Sequence, residues 1–167
     1  MVFFLFYRLG ESQLLKVATP FLVDSRSAGG IGLTSAQYGI IYGTVGMLSL
    51  TVGGILGGIL AARVGLKKVI FIMALWLNLP SVVYIYLAHF QPMPGSLPVY
   101  LSVAFEQFGY GYGFTAYMLY MLHYVGESKY KTAEYAIGTS LMALGMMLPG
   151  MISGAMKELL GYENFFI

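Results

Sequence analysis

The chain has 167 residues, of which 58% are hydrophobic and 10% are charged, and its mean hydropathy is +0.76. Nine Lys and Arg and seven Asp and Glu side chains are too few for a soluble domain, in which roughly 25% of residues are charged. The apolar content excludes disorder, and the absence of cysteine excludes a disulfide scaffold. A net charge of +2 gives no basic field for nucleic acid, so the composition predicts an integral membrane protein.

Charge clusters and turn residues divide the sequence into five long apolar stretches. A spanning helix needs about 20 mostly apolar residues, whereas a barrel strand needs about 10 with alternating polarity, so we expect helices. The spans are predicted at approximately 1–23, 37–62, 69–90, 98–124 and 133–156, and a sixth begins near residue 164. The predicted fold class is all-α integral membrane, with residues 1–167 forming a single transmembrane domain.

The connections between the stretches differ in charge, and this difference predicts the orientation of the chain. The second connection contains Arg63, Lys67 and Lys68, and the fourth contains Lys129 and Lys131. Loops rich in Lys and Arg stay on the cytoplasmic side, and alternate connections lie on the same side of the membrane. We therefore expect these two connections to be cytoplasmic. The N-terminus and the end of a completed sixth span would then be cytoplasmic as well.

The second connection reads GILAARVGLKK from residue 58 to residue 68. Its first glycine allows close helix packing, its second allows a tight turn, and its basic residues hold the loop at the anionic leaflet. The segment is similar to the cytoplasmic loop signature of the major facilitator superfamily, G-x-x-x-D-R-x-G-R-K/R. Ala62 and Leu66 replace an acid and an arginine of that signature, and a plain positive-inside loop with a glycine turn would look similar. The motif residues are Gly58, Arg63, Gly65, Lys67 and Lys68.

Three further segments resemble one branch of this superfamily, the AmpG-type permeases. They are YRLGES at 7–12 with TPFL at 19–22, FEQFGYGYG at 105–113, and ALGMMLPG at 143–150. The segments match that family in order and spacing over nearly the whole chain.

The resemblance implies a fold and a function. Members of the family are inner-membrane transporters that import anhydro-muropeptides, which contain N-acetylglucosamine, and a related branch carries acetyl-CoA. The chain would then be the C-terminal six-helix half-bundle, truncated at both ends, of a proton-coupled transporter that works by alternating access. Its partners would be membrane lipid, a small-molecule substrate and a missing N-terminal six-helix half.

The first stretch carries several polar residues on one helical face. Arg8, Glu11, Ser12 and Lys16 fall within about 140° of one another on a helical projection. Arg8 and Glu11 are three residues apart, so their side chains can pair. This face is predicted to line a central cavity. Alternatively, Arg8 and Lys16 extend toward opposite membrane surfaces and Glu11 only neutralises Arg8.

The fourth stretch carries one charge, Glu106, followed on the same helical face by tyrosines at positions 110, 117, 120 and 124. Aromatic rings with hydroxyl groups suit a sugar-containing substrate, although the last two tyrosines also fit an interfacial aromatic belt. An ionised glutamate facing lipid costs roughly 3 kcal/mol, so Glu106 must face a cavity, pair with a residue such as Arg8, or stay protonated. It is either a coupling carboxylate or a static hydrogen-bond acceptor. The predicted cavity residues are Arg8, Glu11, Ser12, Glu106, Gln107, Tyr110 and Tyr117.

Glycine and proline predict local helix features. The glycines of the second stretch indicate close helix packing, and the segment Asn78–Pro80 indicates an irregularity in the third. Pro149 removes a backbone donor, so a kink is expected at Gly145, Pro149 and Gly150.

Other chemistries have little support in the sequence. The two histidines lie near different helix ends, no cluster has metal-ligand spacing, and the glycines at 109–113 lie inside a span rather than in a phosphate loop. We expect no cofactor, no metal and no enzymatic activity. The alternatives to a muropeptide permease are a transporter of a sugar, peptide or acyl-CoA, and a membrane subunit that does not transport. Charges inside the spans favour transport, because they are costly without a use.

Overall fold

The computed structural model describes residue 7 and residues 9–126 and 129–166. Within these ranges the secondary structure is helical and contains no strand, which confirms the predicted all-α class. Five helices follow one another, and a short 3-10 turn at Arg26–Ala28 lies between the first two. They are α1 (Leu9–Val23), α2 (Ser35–Val64), α3 (Leu66–Phe90), α4 (Leu97–Gly126) and α5 (Lys131–Phe166).

Three of these helices, among the residues that the structure describes, are long and apolar enough to cross a membrane, namely α2, α3 and α5. The helix α4 has 30 residues but is less apolar, because Glu106, Gln107 and several tyrosines and glycines interrupt its apolar sequence. The described part of α1 has 15 residues. Length and composition therefore support three of the five predicted spans.

Irregular turns interrupt the helices α2 and α3. In α2, the segment Ile41–Gly46 is a π-helical turn, and the helix begins at a capping box between Thr34 and Gln37. In α3, the helix is interrupted at Leu79, directly before Pro80, as the sequence predicts. The connection between α2 and α3 is the single residue Gly65, whose φ of +92° lies in the left-handed region that favours glycine.

The centre of the bundle is α4, which packs mainly against α2 and α3. Glycines of both helices make the contact of α2 with α4 close, and glycines of α4 alone do so at α3. A Cβ atom added at Gly57 of α2 would lie 2.9 Å from the carbonyl oxygen of Tyr112. A Cβ atom added at Gly113 of α4 would lie 2.6 Å from the Cβ atom of Leu77 in α3. The glycines inside α4 thus serve helix packing.

The second packing unit is formed by α1 and α5, and the C-terminal half of α3 joins it. Phe21, Tyr84 and Phe166 pack together there, with ring centroids 5.2–6.0 Å apart. In the described part of α5, non-helical dihedrals occur at Gly161, where φ is +74°, and Pro149 lies inside the helical run. The kink at Gly145–Gly150 stays a prediction, since a proline bend can be distributed over helical dihedrals.

Candidate functional site

A buried carboxyl group lies where α2, α3 and α4 meet. Glu106 is only 3% exposed, and its Oε2 atom accepts hydrogen bonds from the hydroxyl groups of Tyr84 at 2.5 Å and Tyr42 at 2.8 Å. The two hydroxyl oxygens are 3.1 Å apart. We call Glu106, Tyr42 and Tyr84 the Glu106 cluster. It joins three helices through one carboxylate oxygen.

Local structure places each member of this cluster. Tyr42 lies in the π-helical turn of α2, and its ring packs on the ring of Tyr38 with centroids 4.5 Å apart. Tyr84 lies one turn after Pro80 and is completely buried, with the ring of Phe21 6.0 Å away. The π turn and the proline interruption therefore lie beside the one acid of α4. Turns of this kind are common at functional sites.

The second carboxylate oxygen of Glu106 is different. Among the described residues, Oε1 is buried and has no hydrogen-bond partner. Buried polar atoms in native proteins almost always have a partner, so such an atom calls for an explanation. A proton on this oxygen would remove the charge and lower the cost of burial. The arrangement thus combines one oxygen held by two donors with one buried oxygen that has no partner among the described residues.

Two more of the predicted cavity residues lie on α1. Glu11 and Ser12 are both buried, at 3% and 1% exposure, and Glu11 is close enough to Glu106 for the two carboxyl groups to interact electrostatically. Arg8 lies outside the described residues, so its predicted pairing with Glu11 or Glu106 stays a prediction. Lys16 is exposed, and its aliphatic chain lies along α5 at Gly150.

The predicted tyrosine stripe of α4 does not gather at Glu106. Tyr117 is completely buried and belongs to a separate core cluster with Tyr7, Leu77 and Met121, against which Tyr110 packs. The hydroxyl of Tyr7 donates to the carbonyl of Gly113 at 3.0 Å. The hydroxyl groups that contact Glu106 come instead from α2 and α3. Sequence reasoning missed both of these tyrosines.

The remaining predicted residues lie elsewhere on the bundle. Gln107 is half-buried beside Gly46 of α2, and the basic residues of the loop motif are exposed at the α2–α3 turn. In the described part of the chain, no group of three His, Cys, Asp or Glu residues could hold a metal ion. The structure therefore brings together Glu106 and Glu11 from the predicted set and adds Tyr42 and Tyr84.

Known proteins that resemble the chain carry related names. AmpG 4 of Rickettsia conorii, named as a transporter, is 29% identical over 166 residues, which are 98% of this chain and 37% of that protein. AmpG 2 of Rickettsia prowazekii, also named as a transporter, is 30% identical over 165 residues, 99% of this chain and 38% of that protein. The anhydromuropeptide permease of Escherichia coli is 25% identical over 161 residues, 96% of this chain and 31% of that protein.

The likeness covers the chain but only part of each relative. The chain spans between 31% and 38% of the length of these three proteins. No protein-family model matches the chain. All three names are those of transporters or permeases, which supports the prediction that the chain is not an enzyme. The resemblance read from its motifs is thus confirmed, and the chain is similar to AmpG-type permeases along at least 96% of its length.

Proposed function

We propose that the chain forms the C-terminal half-bundle of a secondary transporter that imports muropeptide across the inner membrane. The likeness to an anhydromuropeptide permease supports the substrate class, and the match extends over about a third of that relative. All five helices cross the membrane in this proposal, including α1 and the less apolar α4. A second six-helix half closes the cavity opposite α1 and α4.

The observation that carries the proposal is the Glu106 cluster. A carboxyl group buried in a membrane is costly and marks an ion or substrate pathway more often than a purely structural site. Its Oε2 atom is fixed by two tyrosines, whereas its Oε1 atom has no partner in the described part of the chain. This asymmetry suits a group that gains and loses a proton without moving far.

The proposed mechanism is proton-coupled alternating access. The two halves rock about the central site so that it faces one side of the membrane at a time. When the cavity is open to the periplasm, the Glu106 carboxyl is protonated and the substrate binds. When the cavity opens to the cytoplasm, water reaches Oε1 and the proton leaves with the substrate.

The proposed function is tested by uptake. The complete transporter is expressed in cells that lack their own muropeptide permease, and the entry of labelled anhydro-muropeptide is measured. We expect uptake to be restored and to collapse when a protonophore removes the proton gradient. Restored uptake of a free sugar, a peptide or an acyl-CoA without uptake of the muropeptide would contradict the substrate class.

A further inference from the structure

A cavity of about 660 Å³ lies at the end of the bundle that carries the basic loop motif. It is bounded by the end of α2, the start of α3 and the end of α4, and its lining residues on α4 lie 13 to 17 positions after Glu106. Its volume is within the range of pockets that hold small molecules. The cavity is therefore separate from the Glu106 cluster and needs its own explanation.

The lining of this cavity is divided into an apolar wall and a basic mouth. Small and aliphatic residues form the wall, among them Gly58, Ala61 and Leu119. Lys67, Lys68 and His123 also line the cavity. In the described part of the chain, no acidic residue lines it and neither lysine has an acidic side chain within 4.0 Å. The mouth thus presents cationic groups that lack a counter-charge from the described residues.

We propose that this cavity binds one anionic phospholipid of the cytoplasmic leaflet. The phosphate contacts Lys67, Lys68 and His123, and an acyl chain lies along the apolar wall. An apolar ligand without charge would leave the lysines unused, and a free phosphate would leave the apolar wall exposed. Basic pockets between transmembrane helices on the cytoplasmic side are suited to such headgroups. The proposal rests on the chain lying in a membrane and does not depend on the transported substrate.

The space for the acyl chain can be removed without disturbing helix packing. A Cβ atom added at Gly58 meets no atom closer than 4.0 Å, whereas one added at Gly57 meets the Tyr112 carbonyl at 2.9 Å. Gly58 lines the cavity, and its added Cβ atom stays at ordinary contact distance from Thr115 of α4, so a leucine there is expected to fill part of the cavity. Ala62 also lines the cavity and is exposed, so Ala62→Leu is a second filling variant.

The test is native mass spectrometry of the complete transporter in detergent, titrated with phosphatidylglycerol or with phosphatidylcholine. We expect phosphatidylglycerol to bind at least about tenfold more tightly. The Lys67→Gln/Lys68→Gln variant should lower its affinity by about 25-fold, since each surface lysine contributes about fivefold. Gly58→Leu and Ala62→Leu should each weaken binding of both lipids. The control Lys129→Gln/Lys131→Gln removes the same charge from the next connection on the same side and should change affinity less than about threefold.

Each alternative has a distinct outcome. An equal loss in the Lys129→Gln/Lys131→Gln control would overturn the proposal, because it would indicate a diffuse basic surface. Competition by glycerol 3-phosphate as effective as that by the lipid would show a phosphate site without an acyl groove. No change in either filling variant, with unchanged helix content by circular dichroism, would also overturn it.

Discussion

Removing the hydroxyl of Tyr84 is the sharpest test of the Glu106 cluster. Tyr84→Phe deletes the shorter of the two hydrogen bonds to Oε2, the one of 2.5 Å, and leaves the ring and its packing in place. Hydrogen bonds between membrane helices contribute about 0.6 kcal/mol on average and about 1.7 kcal/mol at most. Here the acceptor is buried and its other oxygen has no partner among the described residues, so we expect a value near the maximum, about 1.5 kcal/mol.

The free energy of unfolding is measured by titrating the purified protein in mixed micelles with a denaturing detergent and following helix content. Tyr86→Phe is the matched control, because Tyr86 lies on the same helix and is 45% exposed. Tyr86→Phe should lower the free energy of unfolding by no more than about 0.5 kcal/mol. In a Glu106→Leu background, Tyr84→Phe should also cost less than about 0.5 kcal/mol. An equal cost in both backgrounds would contradict the Tyr84–Glu106 hydrogen bond as the source of the stability, since the hydroxyl would then act through its other neighbour, the Tyr42 hydroxyl.

Three further predictions concern packing, a loop contact and orientation. Gly113→Ala places a Cβ atom 2.6 Å from the Leu77 Cβ atom and should lower the free energy of unfolding by about 1–3 kcal/mol in the same assay. Gly39→Ala, whose added Cβ atom has no atom within 4 Å, should be neutral or stabilising. Equal effects of the two variants would contradict the packing account. Tyr162→Phe removes a 2.5 Å hydrogen bond to Asp24 and should speed hydrogen exchange of the Gly29–Leu33 amides about fivefold. Unchanged exchange would show that this contact does not hold the connection between α1 and α2. The chain has no native cysteine, so single introduced cysteines can be labelled one at a time. A cysteine at Val64 should resist an impermeant thiol reagent in intact cells, whereas one at Ser27 should react. The reverse pattern would show that the predicted orientation is inverted.

The ends of α2, α3 and α4 could be predicted well because charges and turn residues mark them, whereas α5 continues past its predicted end at residue 156 to Phe166. The stretches 37–62, 69–90 and 98–124 lie within α2, α3 and α4, and the described helices extend one to three residues beyond most of the predicted ends. The packing role of the second stretch also followed from its glycines. Sequence could not tell, however, which glycines meet a neighbouring helix: Gly57 contacts α4, whereas Gly39 and Gly43 face open space.

The partners of Glu106 could not be predicted in this way. The helical projection placed it with the tyrosines of its own helix, because residues along one helix have a known angular relation. Tyr42 and Tyr84 lie on other helices, and their contact with Glu106 depends on how α2, α3 and α4 pack. The π-helical turn adds a difficulty, since one inserted residue rotates the rest of α2 by about 100° relative to a regular helix.

The most direct test of the account is the transport behaviour of Glu106→Gln in the complete transporter. The amide keeps the size of the side chain and an oxygen that can accept from Tyr42 and Tyr84, but it cannot take up or release a proton. We predict that this variant loses accumulation of labelled muropeptide against a gradient and keeps exchange and downhill flux. Glu158→Gln, which removes an exposed carboxylate at the end of α5, should transport normally. A Glu106→Gln variant that concentrates substrate as well as the unmodified protein would show that Glu106 is a static acceptor and would contradict the proposed mechanism.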